Sequence, residues 1–241
     1  MYTLNEHAVW FSTPNIGLLE AVYHNNITDI VIDIEHGIFD ITSADRFILT
    51  AKSMGLTVHA KVLSTEMSAI QQMLDIGVNS VIIPHIGGLE HAKKSCSYAK
   101  FAPLGDRSCA GGRTLQFGNA DSQYFQNQNS DTRCYPMIET AEAFQDVDKI
   151  LALDTVDGIF IGPTDLSLSQ GRGAYTFDEI DKKMIKQIAL AAKNANKPWI
   201  MPAWSTQEQE FAHNIGAYLL VFTHEQAILT AGLNAFLNKR G

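Results

Sequence analysis

Eight short apolar stretches, separated by segments of helical spacing, constrain the fold of this chain more than any other feature. They lie at 8–11 (AVWF), 28–34 (TDIVIDI), 57–62 (TVHAKV), 79–84 (NSVIIP), 133–138 (RCYPMI), 158–162 (GIFIG), 198–203 (PWIMPA) and 218–223 (YLLVFT). Most are unbroken runs, the pattern of strands covered on both faces in parallel sheets. Helical spacing fills 15–24, 42–53, 65–75, 88–99, 141–152, 177–194 and 206–214. Gly55, Gly77 and Gly216 each stand between a helical pattern and the next strand, where a left-handed cap is wanted. Thr42 offers a hydroxyl cap to the second helix. Strict alternation of this kind makes a parallel sheet, and eight strands favour closure into an α/β barrel. The 241 residues match the roughly 250 of such a barrel. The expectation is a single (β/α)8 TIM barrel domain over residues 1–241.

The connection between strands four and five breaks the rhythm. Roughly 48 residues lie there, and FAPLGDRSCAGGRTLQFGNADSQYFQNQNSD within it is rich in Gly, Asn, Gln and Ser. It reads as a long functional or disordered loop. It carries Arg107 and Arg113, cations in an otherwise acidic chain of formal charge −8. With that charge and no basic run, nucleic acid and anionic membranes are poor partners. An anionic small molecule needs only a few cations placed locally. Three cysteines (Cys96, Cys109 and Cys134) without a Cys-x-x-Cys pair argue against a disulfide framework or a thiolate zinc site. MYTLNEHAVWF lacks the basic and apolar regions of a signal peptide. No apolar run approaches the roughly 18 residues of a membrane span. A cytoplasmic location is expected.

In a parallel barrel the C-terminal strand ends share one rim, and chemistry is done there. Asp33-Ile34-Glu35-His36, His85, Glu139 and Asp165 follow four of the predicted strands. Glu139 and Asp165 form a pair of hard oxygen donors suited to Mg²⁺ or Mn²⁺. Equally, each could cap the helix that follows it. His36 is a candidate general base on the rim, with satisfaction of loop carbonyls as the bland alternative. Asp33 and Glu35 share one strand face and point the same way. Lys61, near the end of strand three, is a candidate to bind a carboxylate or form a Schiff base, with a solvated surface charge as the bland alternative. Asp75 closes a helix whose macrodipole it opposes, so it needs a partner, and a rim histidine is one option. Gly162-Pro163-Thr164 is a tight turn after a strand.

Taken together, DIVIDIEHG (30–37), LDIGVNSVIIPHI (74–86), FAPLGDRS (101–108), MIETAEA (137–143) and VDGIFIGPTDLSLSQG (156–171) resemble the HpcH/HpaI aldolase family, the metal-dependent class II pyruvate aldolases, 2-dehydro-3-deoxyglucarate aldolase-like. The likeness runs from about Trp10 to the end of the chain. It implies a barrel of the phosphoenolpyruvate/pyruvate-domain type. It implies a divalent metal (Mg²⁺ or Mn²⁺, with Co²⁺ a further option) on Glu139 and Asp165, chelated by pyruvate or another 2-oxo acid. It implies His36, positioned by Asp75, in proton transfer, and Lys61, Gly162, Pro163, Thr164 and Arg107 against the substrate. A homo-oligomer, a hexamer, is implied as well. The second substrate is an aldehyde or a thioester.

Three positions depart from the family pattern. Lys61 stands where an arginine is usual, keeping the charge but losing the two-pronged donor geometry. His85 stands where a methionine commonly follows the proline. Ser108 replaces a usual glycine. The leading expectation is a carbon–carbon lyase acting through a metal-stabilised 2-oxo acid enolate. Alternatives on the same scaffold are a citrate synthase-like condensation of oxaloacetate with acetyl-CoA for siderophore biosynthesis and a non-catalytic ligand-binding barrel.

Overall fold

The computed structural model describes residues 7–238. The eight strands are β1 (His7–Phe11), β2 (Asp29–Asp33), β3 (Thr57–Lys61), β4 (Ser80–Ile83), β5 (Arg133–Ile138), β6 (Ile159–Ile161), β7 (Trp199–Pro202) and β8 (Leu219–His224). Each pairs in parallel with the next, and β8 returns to β1 to close the barrel. The helices are α1 (Ile16–His24), α2 (Ile41–Ser53), α3 (Met67–Ile76), α4 (Leu89–Ser97), α5 (Ser122–Asp131), α6 (Ala141–Gln145), α7 (Val147–Leu151), α8 (Pro163–Ser169), α9 (Glu179–Asn194), α10 (Thr206–Asn214) and α11 (Glu225–Asn238). This is the expected (β/α)8 architecture. The reading of the first residues as lacking a leader falls largely on 1–6, outside the described residues. Among the described residues no helix is long and apolar enough to cross a membrane.

The two-residue period of a strand decides what faces where. On β2, Ile30 and Ile32 pack outward against the helices, while Val31 belongs to the cluster filling the barrel. Ile82, Tyr135, Met137 and Phe160 continue that inner cluster, and all are nearly or fully buried. The same parity carries polar side chains to the two ends of the lumen. Asp29, His59 and Ser80 start the inward columns at the floor, and Asp33, Lys61 and Glu139 end them at the rim. Register fixes their neighbours: Asp33 lies opposite Lys61, and Lys61 opposite Ile82.

Gly55, Gly77 and Gly216 have φ of 85°, 106° and 88°, the left-handed conformation expected after α2, α3 and α10. The cap of α2 differs from expectation. Asp40, not Thr42, accepts the Ser43 N–H, and Ser43 answers in a capping box. A carboxylate one residue before the helix outcompetes a hydroxyl already inside it. The long connection also holds more structure than its composition indicates. Asp121 caps α5, and Phe125 and Tyr124 pack on Phe101 with ring centroids 5.0 and 6.1 Å away. The polar residues on the remaining faces of α5 hide this two-aromatic anchor from a periodicity search.

Candidate active site

The turn after β2 folds its acids over the barrel mouth. Asp33, the last inward residue of β2, accepts from Trp10 Nε1 at 3.2 Å and from the His36 backbone N–H at 3.0 Å. These two bonds hold the Asp33-to-His36 turn and leave Glu35 pointing back at the rim. Lys61 Nζ, at the end of β3, lies 2.7 Å from Glu35 Oε2 and 3.9 Å from Asp33 Oδ1. It is 6% exposed and stands 5.9 Å from the centre of the Trp10 ring. Lys61 is therefore a buried rim cation rather than a solvated surface charge.

His85 follows β4 and has φ of 55°. Its backbone N–H donates to Glu139 Oε1 at 2.6 Å. Its imidazole Nε2 lies 2.5 Å from Glu35 Oε1, and Nδ1 lies 3.7 Å from Glu139 Oε1. One residue thus ties the β2 acid to the β5 acid. His36 lies at the edge of the group, with Nε2 3.5 Å from Glu35 Oε1 and its side chain 66% exposed.

Glu139 ends the inward column of β5 and is 2% exposed. Gly162 makes room for it. A Cβ at Gly162 would stand 2.7 Å from Glu139 Oε2 and 2.8 Å from its Cβ. Burial pushes the Glu139 carboxyl above its ordinary range, and the charge of Asp165 adds to the rise. The His85 amide and Lys61 pull the other way without winning. Glu35 behaves differently. Burial alone would raise it, but Lys61, His85 and His36 together hold it below its ordinary value.

Neither metal-ligand candidate is used as a helix cap. Thr140 caps α6 and accepts the Ala143 N–H. Helix α8 starts at Pro163 after Gly162, so Asp165 sits inside the first turn and is exposed. Glu139 thus has no capping role, while Asp165 stands in the first turn of α8, where its charge also suits the helix dipole. Glu139 is a desolvated carboxylate with a second carboxylate close enough to raise its proton affinity, a donor set that a divalent cation satisfies. Among the described residues no group of three or more His, Cys, Asp or Glu side chains could hold a metal. Two carboxylates fit the hard-cation pattern in which water and substrate supply the remaining oxygens.

Asp75 and Arg107 do not join this cluster within the chain. Asp75 lies in the last turn of α3, the end leading to the floor of the barrel, and Arg107 Nη2 is 2.9 Å from its Oδ1. The Arg107 backbone N–H donates to the Lys100 carbonyl, and its guanidinium stacks 4.5 Å from the centre of the Phe101 ring. The acid that opposes the α3 dipole is balanced by Arg107 instead of by a rim histidine. The sequence sets Glu35 and His85 on the active rim without assigning either a role in the site. Their signal was available: both follow predicted strands on the active rim.

A family model described as HpcH/HpaI aldolase/citrate lyase matches residues 7–211. A hydroxypyruvate/pyruvate aldolase of Rhizorhabdus wittichii is 29% identical over 190 residues, covering 78% of this chain and 74% of the relative. A crystal structure of an HpcH/HpaI aldolase from Desulfitobacterium hafniense superposes with a TM-score of 0.89 at 21% identity, covering 98% of this chain and 92% of that one. A citrate lyase beta subunit from M. tuberculosis, solved with oxaloacetate and magnesium, has a TM-score of 0.58 at 13% identity and covers 91% and 92%.

Proposed function

The chain belongs to the HpcH/HpaI aldolase/citrate lyase family, and from that premise we propose that it is a metal-dependent carbon–carbon lyase acting on a 2-oxo acid. The observation that carries the reading is Glu139: a carboxylate buried at the rim, with a raised proton affinity, a neighbouring acid in Asp165 and no capping duty. Glu139 and Asp165 would hold a divalent cation such as Mg²⁺ or Mn²⁺. The magnesium complex of the citrate lyase relative supports that choice. Bound there, the cation supplies a Lewis acid that polarises a keto oxygen and favours loss of a proton or a C–C bond at the adjacent carbon.

The residues of the chain supply the rest. Lys61 is held at the rim by Glu35 and Asp33, so its positive charge stands where an enolate would develop. The Gly162-Pro163-Thr164 turn opens α8, and the free amides of that first turn face an anionic carboxylate favourably. His36 is open to solvent at the edge of the cluster, the position of a group that exchanges protons with water. Glu139 is kept in place by the His85 amide and the absence of a side chain at Gly162.

The test is exchange of pyruvate methyl protons in D₂O, followed by NMR with added Mg²⁺ or Mn²⁺. Exchange that is present with metal, abolished by chelation and absent in Glu139→Ala is the expected outcome. Exchange that survives exhaustive chelation defeats the proposal.

A further inference from the structure

His85 is more than a backbone clamp for Glu139. At φ of 55° a glycine or asparagine would sit at lower cost, and either would present the same N–H. The imidazole therefore needs its own explanation. Its Nε2 is fixed 2.5 Å from Glu35 Oε1, and Lys61 in turn pins Glu35 from the other side. Yet the His85 side chain is 60% exposed, so the ring stands at the mouth with one edge anchored and the remainder open. Nε2 is committed to Glu35, so Nδ1 is the ring nitrogen left for a ligand. Nδ1 is 3.7 Å from Glu139 Oε1, beside the carboxylate proposed to hold the cation.

We propose that His85 is a specificity-determining residue: its Nδ1 hydrogen-bonds a hydroxyl next to the carbonyl of the second substrate and so selects hydroxyaldehydes over alkyl aldehydes, with Glu35 as the positioning residue that orients the ring. This deepens the lyase reading and rests on it. A second substrate has to approach from the open side of the rim, because Lys61 and Glu139 occupy the buried side. A plain alkyl chain gains nothing from the ring. A neutral hydroxyl gains a fixed partner that costs no reorganisation.

Glycolaldehyde and propionaldehyde have nearly the same shape and differ in this hydroxyl. The experiment compares kcat/KM for the two, with pyruvate and Mg²⁺, in the wild type, His85→Gly and His85→Gln. Glycine suits the positive φ and retains the N–H to Glu139, so the first variant keeps the fold. The preference for glycolaldehyde is expected to fall about fivefold in His85→Gly, the size of one neutral hydrogen bond. His85→Gln, whose amide can donate or accept at a similar reach, is expected to recover part of it. A ratio equal in wild type and His85→Gly, or a wild type without preference, overturns the inference. The failure of the underlying reading looks different: wild-type protein that does not exchange pyruvate protons with metal removes the lyase proposal, and this inference with it.

Discussion

The floor and the rim of the barrel are built on the same inward columns of β2, β3 and β4–β5, yet they hold their charges in opposite ways. At the floor, His59 is closed on both sides, with Nδ1 2.6 Å from Ser80 Oγ and Nε2 2.9 Å from Asp29 Oδ1. Thr28 donates to the other Asp29 oxygen at 2.7 Å. Four residues along β2 and two along β3, the rim sets Asp33 and Lys61 beside Glu35, His85 and Glu139. There the carboxylates outnumber the fixed cation, and Glu139 is left with a raised proton affinity. A floor that satisfies itself is a structural plug. A rim with unbalanced negative charge is prepared for something that is not part of the chain. Buried polar groups stabilise when their partners are complete and are costly otherwise, so an incomplete set at a concave rim marks function.

The largest effect should come from Glu139→Gln. The amide keeps the shape and can still accept the His85 N–H, but it cannot offer a charged ligand. Turnover should fall by about 10³-fold, on the order of 4 kcal/mol in transition-state stabilisation, while thermal stability holds. A variant retaining a tenth of wild-type turnover would place the rim on the same footing as the floor. The converse substitution is His59→Leu. It strands Asp29 and Ser80 and should cost about 3 kcal/mol of stability, read as a lower midpoint in urea. Turnover per folded molecule should be retained. If His59→Leu abolished turnover in fully folded protein, the division of labour between the two ends would be wrong.

Gly162→Ala should have a smaller effect, and it sharpens the comparison because it moves a rim group without removing it. The new Cβ meets Glu139 Oε2 at 2.7 Å, so the carboxylate must shift. A displacement of this size should cost roughly thirtyfold in turnover, about 2 kcal/mol, with metal affinity weakened in parallel. Unchanged metal affinity by calorimetry would mean that Glu139 relaxes freely and is not a fixed ligand.

Much of this arrangement is legible in the sequence. Mostly unbroken apolar runs marked all eight strands, because strands covered on both faces carry few polar residues; β3 is an exception, with His59 at its centre held by Ser80 and Asp29. Period two predicted that Asp33 and Glu35 share a strand face, but β2 ends at Asp33, and Glu35 reaches Lys61 through the turn that follows. Glycine punctuation located the ends of α2, α3 and α10. What stayed hidden depended on neighbours distant in sequence. Glu35 and His85 lie fifty residues apart, and they meet because β2 and β4 flank β3 in the barrel. The partner of Asp75 is Arg107, set by the path of a long connection whose order comes from Phe101, Tyr124 and Phe125. Local pattern specifies faces; it does not specify which faces meet across an irregular loop.

The smallest effect is a pH dependence, and its sign separates Glu139 from Glu35. The carboxyl of Glu139 is raised in the folded protein, above its reference value of 4.5. A raised group contributes stability that is full below its unfolded pKa and is lost as pH rises through the folded pKa. Glu35 is lowered from the same 4.5, so its contribution is present above the unfolded pKa and is lost as pH falls through the folded one. The two windows lie on opposite sides of 4.5; Glu225 is raised by burial as well, so above pH 4.5 it is the difference between wild type and Glu139→Gln that reports on Glu139. Metal-free wild type should lose stability across that range, and Glu139→Gln should lose less of it. Mg²⁺ or Mn²⁺ binds the ionised carboxylate and lowers its proton affinity. At several times Kd the cation should therefore return about 1 kcal/mol, or ~2–4 °C, at neutral pH. It should return little to Glu139→Gln. Parallel melting curves for the two proteins, with and without cation, would show that the unbalanced charge at the rim is not on Glu139.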